Sequence, residues 1–428
     1  MREGIQETPS VTGIIAEYNP FHSGHAWQLE EIRRRRPGTI IVAMMSGSFC
    51  QRGDAAILDK FTRANLAIAG GCDLVLELPF VFACRSAQAF AAGGVQLFAR
   101  LGLGGCLAFG AETDHLSALR QIASYMDESD FQQTLHERIR QGESYAAALA
   151  GLLETQRGSN VDLRAPNNIL AIEYLRVLQR FPSLTPMLVP RRGAGHNDAS
   201  LPKREEHSAS GTAIRRELLA ARSERRMPDW AVLSGTMPVE TAEALRETFP
   251  DYLPDRERLF PALQLRFLTM TDADIDAIYG VNAAEGMTGR LRRAMREAGS
   301  LQEFIDRAAT RRYPAARIRR LVPFLLLGIS DAQMAAMDAA GPLYARVLAC
   351  GPRGREILHT MKKTAKIPII AKMSQYLTTK TRESDRERNI FQQQLILDTW
   401  ATDLRGLMFS QPLEAKDFHT SPRFSGRS

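Results

Sequence analysis

Apolar residues along this chain follow two periods, and the balance between them changes near residue 226. Before that point, short apolar runs recur: one from Val11 onward, then 39–45, 73–79, 106–109 and 185–190. Each has strand length, and 39–45 is continuous rather than alternating, as expected of a strand buried on both faces of a parallel sheet. Between them, apolar residues fall at near-helical spacing, as in Ala26, Leu29 and Ile32. Strand–helix alternation of this kind predicts a doubly wound α/β unit with a parallel sheet. Beyond 226 the strand pattern mostly disappears. Helices are predicted over 239–247, 261–270, 301–309, 315–328 (kinked at Pro323) and 395–407, and the last eighteen or so residues read as a loose tail. The expected division is therefore 1–225, α/β, and 226–428, helical.

The first strand gives way to a helix through Gly13-Ile14-Ile15-Ala16-Glu17-Tyr18-Asn19-Pro20-Phe21-His22-Ser23-Gly24-His25. Asn19-Pro20 is a turn signal. A helix N-terminus offers unsatisfied N–H groups and the positive end of the dipole, which suits a phosphate. Gly24 lets an anion come close to the backbone, and two imidazoles can donate hydrogen bonds to phosphate oxygens. Residues 13–25 are thus the candidate binding stretch, with His22 and His25 at its reactive end.

Other loops fall where a doubly wound sheet holds its ligands, at the carboxyl ends of strands. These are the polar stretch Ser46-Gly47-Ser48-Phe49-Cys50-Gln51-Arg52-Gly53-Asp54, Gly110 after the fourth strand, and Arg191-Arg192-Gly193-Ala194-Gly195 after the fifth. The arginine pair there is a candidate phosphate clamp. Asn167 opens a helix after Pro166. Ser208 or Ser210 caps another that carries Thr212 and Arg215, bringing a second helix N-terminus toward phosphate.

Composition narrows the class. The chain has 428 residues, 44% hydrophobic and 24% charged, which suits a globular protein of two or three domains. Its net charge is +7, a moderate excess compatible with an anionic partner. Ten arginines against three acids (Glu297, Glu303, Asp306) lie between Arg290 and Arg320, and this run, Arg317, Arg319 and Arg320 included, points to RNA-backbone binding. The five cysteines are scattered with no Cys-x-x-Cys pair, which argues against a zinc ribbon or disulfide framework. No carboxylate cluster fixes a metal site. Residues 1–10 lack the apolar core of a signal peptide and no run approaches a membrane span, so a cytoplasmic protein is expected.

The strand-to-helix His22-x-Gly24-His25, followed about 190 residues later by Ser210-Gly211-Thr212-Ala213-Ile214-Arg215, resembles the paired signatures of the nucleotidyltransferase superfamily with a Rossmann-like fold. Further stretches narrow the resemblance: Glu17-Tyr18-Asn19-Pro20-Phe21-His22, Met45-Ser46-Gly47-x-Phe49-x-Gln51-Arg52-Gly53, Glu77-Leu78-Pro79, Phe109-Gly110-x-Glu112, Pro166-Asn167-Asn168-Ile169-Leu170 and Gly193-Ala194-Gly195. Together they resemble the bacterial tRNA(Met) cytidine acetate ligases. Three positions depart from that pattern: His196-Asn197-Asp198 follows Gly-Ala-Gly where Tyr-His-Asp is usual, Asp54 replaces Glu, and Ala111 replaces Ser.

The resemblance implies a Rossmann-like catalytic unit with a helical, tRNA-binding second part. It implies that ATP and acetate form an acetyl-adenylate, and that the exocyclic amine of the wobble cytidine of elongator tRNA(Met) takes the acetyl group. His22 and His25 would serve the reacting phosphates, and Gly110 and Asn167 the adenosine. Arg191 or Arg192 would contact phosphate or adenylate, with Thr212 and Arg215 as further phosphate contacts. Magnesium is expected with ATP. Two other classes share parts of the pattern. A small-molecule adenylyltransferase would carry both signatures, and a non-catalytic tRNA-binding protein would carry the basic helices.

Overall fold

The computed structural model describes residues 10–143, 145–154, 161–163, 165–191, 209–378, 388–409 and 415–424. Its frame is one sheet in the order β5-β4-β1-β2-β3-β6-β7. The strands are β1 (Val11–Ala16), β2 (Ile40–Ser46), β3 (Leu74–Leu78), β4 (Gly105–Ala111), β5 (Leu184–Pro190), β6 (Ala345–Cys350) and β7 (Ile369–Ile370). A short β8 (Arg423–Phe424) pairs with β6. All five strands predicted from the apolar runs are present, and β1 to β5 are mutually parallel.

The two faces of the sheet pack against different helices. Ile14, Ile41, Ala43, Met45 and Ala108 point to one side. Helices Ser23–Arg35, Lys60–Ala69 and Gly211–Ser223 cover them with residues such as Leu29, Phe61 and Ile214. Val11, Val42, Met44, Leu107 and Phe109 point to the other. Helices Ala87–Arg100 and Pro166–Leu178 cover those with Phe90, Phe98 and Tyr174. Successive strand residues face opposite layers, so neighbouring apolar positions all find a core. Because β2 and β3 lie on one side of β1 while β4 and β5 lie on the other, the connections diverge beyond the carboxyl ends of β1 and β4. That is where an open α/β sheet forms its ligand crevice.

The part from 226 onward is mainly helical, as the pattern indicates, but it also returns to the sheet. β6 runs antiparallel beside β3, with Leu74 opposite Cys350 and Glu77 opposite Arg346. Sequence pattern misses β6 because its buried run is short and interrupted by Arg346, which leaves it equally compatible with a buried helix segment. The sheet therefore crosses the expected boundary at 225, and both parts of the chain share the core that includes Phe80, Phe324 and Leu397.

Of the expected loose tail, the described residues 415–424 are anchored. Lys60 reaches Glu77 (2.7 Å) and Asp417 (2.7 Å), and Arg346 reaches the same two carboxylates (2.9 and 2.8 Å), all four side chains being at most 3% exposed. Burial alone would raise the Asp417 carboxyl, but Arg346 and Lys60 hold it well below the usual range. Asp398 completes the region by accepting from the Phe80 N–H (2.7 Å) and the Tyr344 hydroxyl. A polar C-terminal stretch reads as a tail in sequence because its charge partners lie more than seventy residues away.

Candidate active site at the carboxyl edge of the sheet

After β1 the backbone turns sharply. Tyr18 takes a left-handed conformation (φ 47°), and Asn19-Pro20 is cis. The buried Tyr18 and Phe21 rings then pack edge-on with centroids 5.0 Å apart, and Tyr18 also meets His25 at 4.9 Å. His22 is the N-cap of helix Ser23–Arg35. Its Nδ1 accepts from the Gly24 N–H (3.1 Å), and Nδ1 of His25 accepts from the His22 N–H (3.3 Å). The two imidazoles thus act as a reciprocal capping box. With both Nδ1 atoms accepting, each neutral ring carries its proton on Nε2. The rings stack with centroids 3.8 Å apart. A side chain at Gly24 would collide with the His22 ring, at 2.9 Å from Cβ to Cε1. The glycine is required by this stacking as well as by any ligand.

The second signature closes onto the first. Ser210 caps helix Gly211–Ser223 by accepting from the Ala213 N–H (3.1 Å). Arg215 donates to the Asn19 carbonyl and to the Thr212 hydroxyl (3.3 Å). A Cβ on Gly211 would sit 3.1 Å from the Asn19 oxygen and 3.7 Å from the His22 ring. Two helix N-termini therefore meet over one cleft, and their combined dipoles favour an anion there.

That cleft has a volume of about 220 Å³. Of the sequence candidates, Ile15, Ala16, Glu17, Tyr18, Asn19, His22, Gly24, His25, Gly110, Asn167, Arg191, Thr212 and Arg215 line it. Gly13 and Ile14 lie deeper in β1, where Gly13 faces the Phe98 ring and Ile14 is core. Pro20, Phe21 and Ser23 shape the turn without lining the cleft; Ser23, for instance, donates its N–H to the Thr236 carbonyl (2.9 Å). Arg192 and the Gly193–Asp198 stretch, with its departures from the family pattern, fall outside the described residues, as does Ser208. Arg191 is largely buried; burial lowers its pKa and the nearby Glu112 carboxylate opposes that. Asn167 donates to Glu112 (2.6 Å), and the buried Asn168 accepts from the Glu112 and Thr113 N–H groups (2.9 and 3.1 Å). This pair ties the loop after β4 to helix Pro166–Leu178.

Several lining residues were not singled out from sequence: Trp27, Gln28, Phe90 and Tyr174. Gln51 and Arg52 belong to the loop expected to be functional, and they too reach the wall. That loop is held from below by Arg63, fully buried, which donates to the carbonyls of Glu17, Gly47 and Leu58. Glu17 in turn accepts from the Gln51 N–H (2.8 Å). Helix Ile390–Gly406 braces the same region through Ser48 to Thr402 (3.0 Å) and Arg405 to the Ala56 and Ile57 carbonyls (2.8 and 3.0 Å). The arginines of this bracing look in sequence like any surface charge, so nothing in their spacing marks them.

The profile of the HIGH nucleotidyl transferase family matches residues 10–419. The tRNA(Met) cytidine acetate ligase of Syntrophomonas wolfei is 34% identical over 427 residues, covering 96% of this chain and 99% of its own. The enzyme of the same name from Fervidobacterium nodosum is 34% identical over 373 residues, covering 86% of this chain and 84% of its own. The chain belongs to the tRNA(Met) cytidine acetate ligase family. Among solved structures, apo Thermotoga maritima TmcAL superposes with a TM-score of 0.84 at 31% identity, covering 97% of this chain and 99% of that one. TmcAL bound with alpha-thio ATP superposes with 0.82 at 30% identity and the same coverage.

In this family member the arginine run divides into two sets. Arg319 pairs with Asp54 (3.3 Å), Arg317 stacks on the Tyr313 ring, and burial lowers the pKa of both Arg317 and Arg320. A Cβ at Gly53 would meet the Arg320 backbone N at 2.6 Å. Arg319 and Arg320 therefore fasten helix Ala315–Leu327 to the loop after β2, Arg317 turns instead to Tyr313 and the Gly280 carbonyl, and the three do not form an open RNA-binding face. Arg292, Arg307 and Arg312 are also committed, to Asp272 (2.6 Å), to Glu303 (2.6 Å) and to Glu285. Arg290, Arg293, Arg296 and Arg311 remain on exposed surface. Among the described residues no cluster of three or more His, Cys, Asp or Glu is placed to hold a metal ion, and no helix is long and apolar enough to cross a membrane.

Proposed function

We propose that this chain uses ATP to activate acetate and passes the acetyl group to the exocyclic amine of the wobble cytidine of elongator tRNA(Met). The observation that carries this reading is the meeting of both signatures over one cleft: Arg215 donates to the Asn19 carbonyl, and the Gly211 helix start abuts the His22 ring. A carboxylate oxygen of acetate attacks the α-phosphorus, the bond to the bridging oxygen breaks, and pyrophosphate leaves. The cytidine nitrogen then attacks the acetyl carbonyl, the bond to AMP breaks, and the amine loses a proton. No protein nucleophile is needed, so the chain contributes positioning and stabilisation of developing phosphate charge.

His22 and His25 act on the phosphates undergoing transfer, with Thr212 and Arg215 beside them. Gly110 and Asn167 hold the adenosine part, and Arg191, with Arg192 next to it, contacts phosphate or the adenylate. Among the described lining residues the only carboxylate is Glu17. That does not make a resident magnesium site, so magnesium arrives with the triphosphate as its counter-ion.

Residues 1–225 carry the chemistry, and the part from 226 holds tRNA, with Arg290, Arg293, Arg296 and Arg311 on its open surface. Such work belongs in the cytoplasm, where the tRNA is. The test supplies purified protein with ATP, labelled acetate and bulk bacterial tRNA. Label recovered in acetylcytidine after nuclease digestion is the expected result. ATP consumption with label in some other acceptor would favour a small-molecule adenylyltransferase, and no turnover at all would favour a binding protein.

A further inference from the structure

One end of the cleft differs from the rest. Ile15 on β1 and Phe109 on β4 point to the same face, because Ile14 and Ala108 are register partners and the next residue on each strand turns to the other side. Helix Ala87–Arg100 presents Ala87 and Phe90, one turn apart, to that space. Helix Pro166–Leu178 presents Leu170 and Tyr174 in the same way. Phe109 and Tyr174 are in ring contact, with centroids 5.6 Å apart. These side chains are carbon apart from the Tyr174 hydroxyl.

Tyr174 is only 2% exposed, and its phenol oxygen has no hydrogen-bond partner. A buried hydroxyl without a partner opposes folding, and a ligand in the cleft can supply the missing bond. Burial, reinforced by the Glu17 carboxylate, pushes the phenol well above its ordinary range, so it stays protonated and acts as a donor. The pocket thus offers one hydrogen-bond donor among Ile15, Ala87, Phe90 and Phe109. A ribose would leave several hydroxyls unmatched against these side chains.

We propose that this end of the cleft is the acyl pocket: Tyr174 donates to the acyl oxygen of the acid and of its adenylate, while Ile15, Phe90 and Phe109 enclose the methyl group and limit chain length. This rests on the proposed acid-activating function and deepens it. Glu17 beside the pocket disfavours a free anion. That cost disappears once the carboxylate oxygen is bonded to phosphorus and the remaining acyl oxygen is a neutral carbonyl. The pocket is therefore better matched to the adenylate than to the free acid, which favours the activation step.

The experiment measures acid-dependent exchange of pyrophosphate into ATP with acetate, propionate and butyrate, for the wild type, Tyr174→Phe, Phe90→Ala and the milder Phe90→Leu. Tyr174→Phe should lower kcat/KM for acetate about tenfold or more, with the KM for ATP unchanged, since a hydrogen bond to the acyl group is lost and the ring is kept. Phe90→Ala should shift preference from acetate toward propionate by about tenfold or more, the usual worth of one methylene in a fitted pocket. Phe90→Leu should shift it in the same direction if the alanine variant does not fold. A Tyr174→Phe enzyme with an unchanged kcat/KM for acetate would overturn the pocket, as would folded Phe90 variants with wild-type preference. Absence of acetate-dependent exchange in the wild type would instead overturn the function on which it rests.

Discussion

Two clusters of charged side chains sit on this sheet, and they are built on opposite rules. Around Lys60, each cation meets both carboxylates, Glu77 and Asp417, within 3 Å and away from water. Around the cleft, Arg52, Arg191 and Arg215 join two histidines with Glu17 as the one carboxylate on the described walls. The first cluster neutralises itself and holds the chain together. The second keeps an excess of positive character over a cavity, and that excess has meaning only with an anion present. Charge and burial alone do not identify a site; the balance of charge within reach does.

The largest effect that would sharpen this contrast is at the cleft. His25→Ala should reduce adenylate formation, read as acetate-dependent pyrophosphate exchange, by about a thousandfold. Binding of tRNA should be nearly unchanged, because Arg290, Arg293, Arg296 and Arg311 are not among the cleft-lining residues. Loss of tRNA binding with normal exchange would break the division between chemistry and tRNA holding.

At the self-neutralising cluster the reverse is expected. Arg346→Met leaves Glu77 and Asp417 short of countercharge and should destabilise the fold by about 3–5 kcal/mol, seen as a drop in Tm. Exchange activity per folded molecule should remain close to wild type. An unchanged Tm would show that the cluster contributes little.

A smaller effect tests the same edge by pH. Asp59 caps helix Lys60–Ala69, accepting from the Phe61 and Thr62 N–H groups (3.0 and 3.1 Å), and lies 3.2 Å from Lys416. Burial would raise its carboxyl, but Lys416 and the Thr62 hydrogen bonds outweigh that and lower it to about 2. A folded-state value below the unfolded one means the stabilisation is present above the unfolded value and is lost as pH falls through the folded one. Asp59 should thus contribute about 2 kcal/mol at neutral pH, fading between roughly pH 4 and pH 2. Denaturant titrations of the wild type and Asp59→Ala should converge over that window.

The smallest effect belongs to the open surface. Arg293→Glu should weaken tRNA binding several-fold and lower the slope of log affinity against log salt by about one. Arg319→Glu should act instead through its Asp54 contact, lowering stability.

How far the sequence reveals this site follows from how local each part is. β1, the turn and the His22–His25 cap occupy fifteen consecutive residues, so strand length, turn chemistry and helix start can be read together. The second signature is legible for the same reason. Tyr174 and Phe90 are not: each looks like an ordinary core residue at helical spacing, and they meet only through the β1–β4 register and the packing of two helices. The arginine run shows the other failure. Composition detects ten arginines but not that Arg319 and Arg320 pack against a loop about 265 residues earlier, Arg319 through Asp54. The strand β6 and the anchored Asp417 were hidden because their partners, β3 and Lys60, belong to the opposite part of the chain.

The pairing of β6 with β3 also imposes an order in time. Leu74 pairs with Cys350, so during synthesis the β3 edge waits for about 270 further residues before its neighbour exists. At ribosomal rates that is roughly 15–50 s. Throughout it, an apolar strand edge is open to pairing with other chains. Lys60 and Glu77, already synthesised, spend the same interval without Arg346 and Asp417 to complete their charges. The sheet that supports the cleft is thus finished only after most of the polypeptide has been made, and chaperone protection of β3 during that interval would govern how much of the protein reaches its active form.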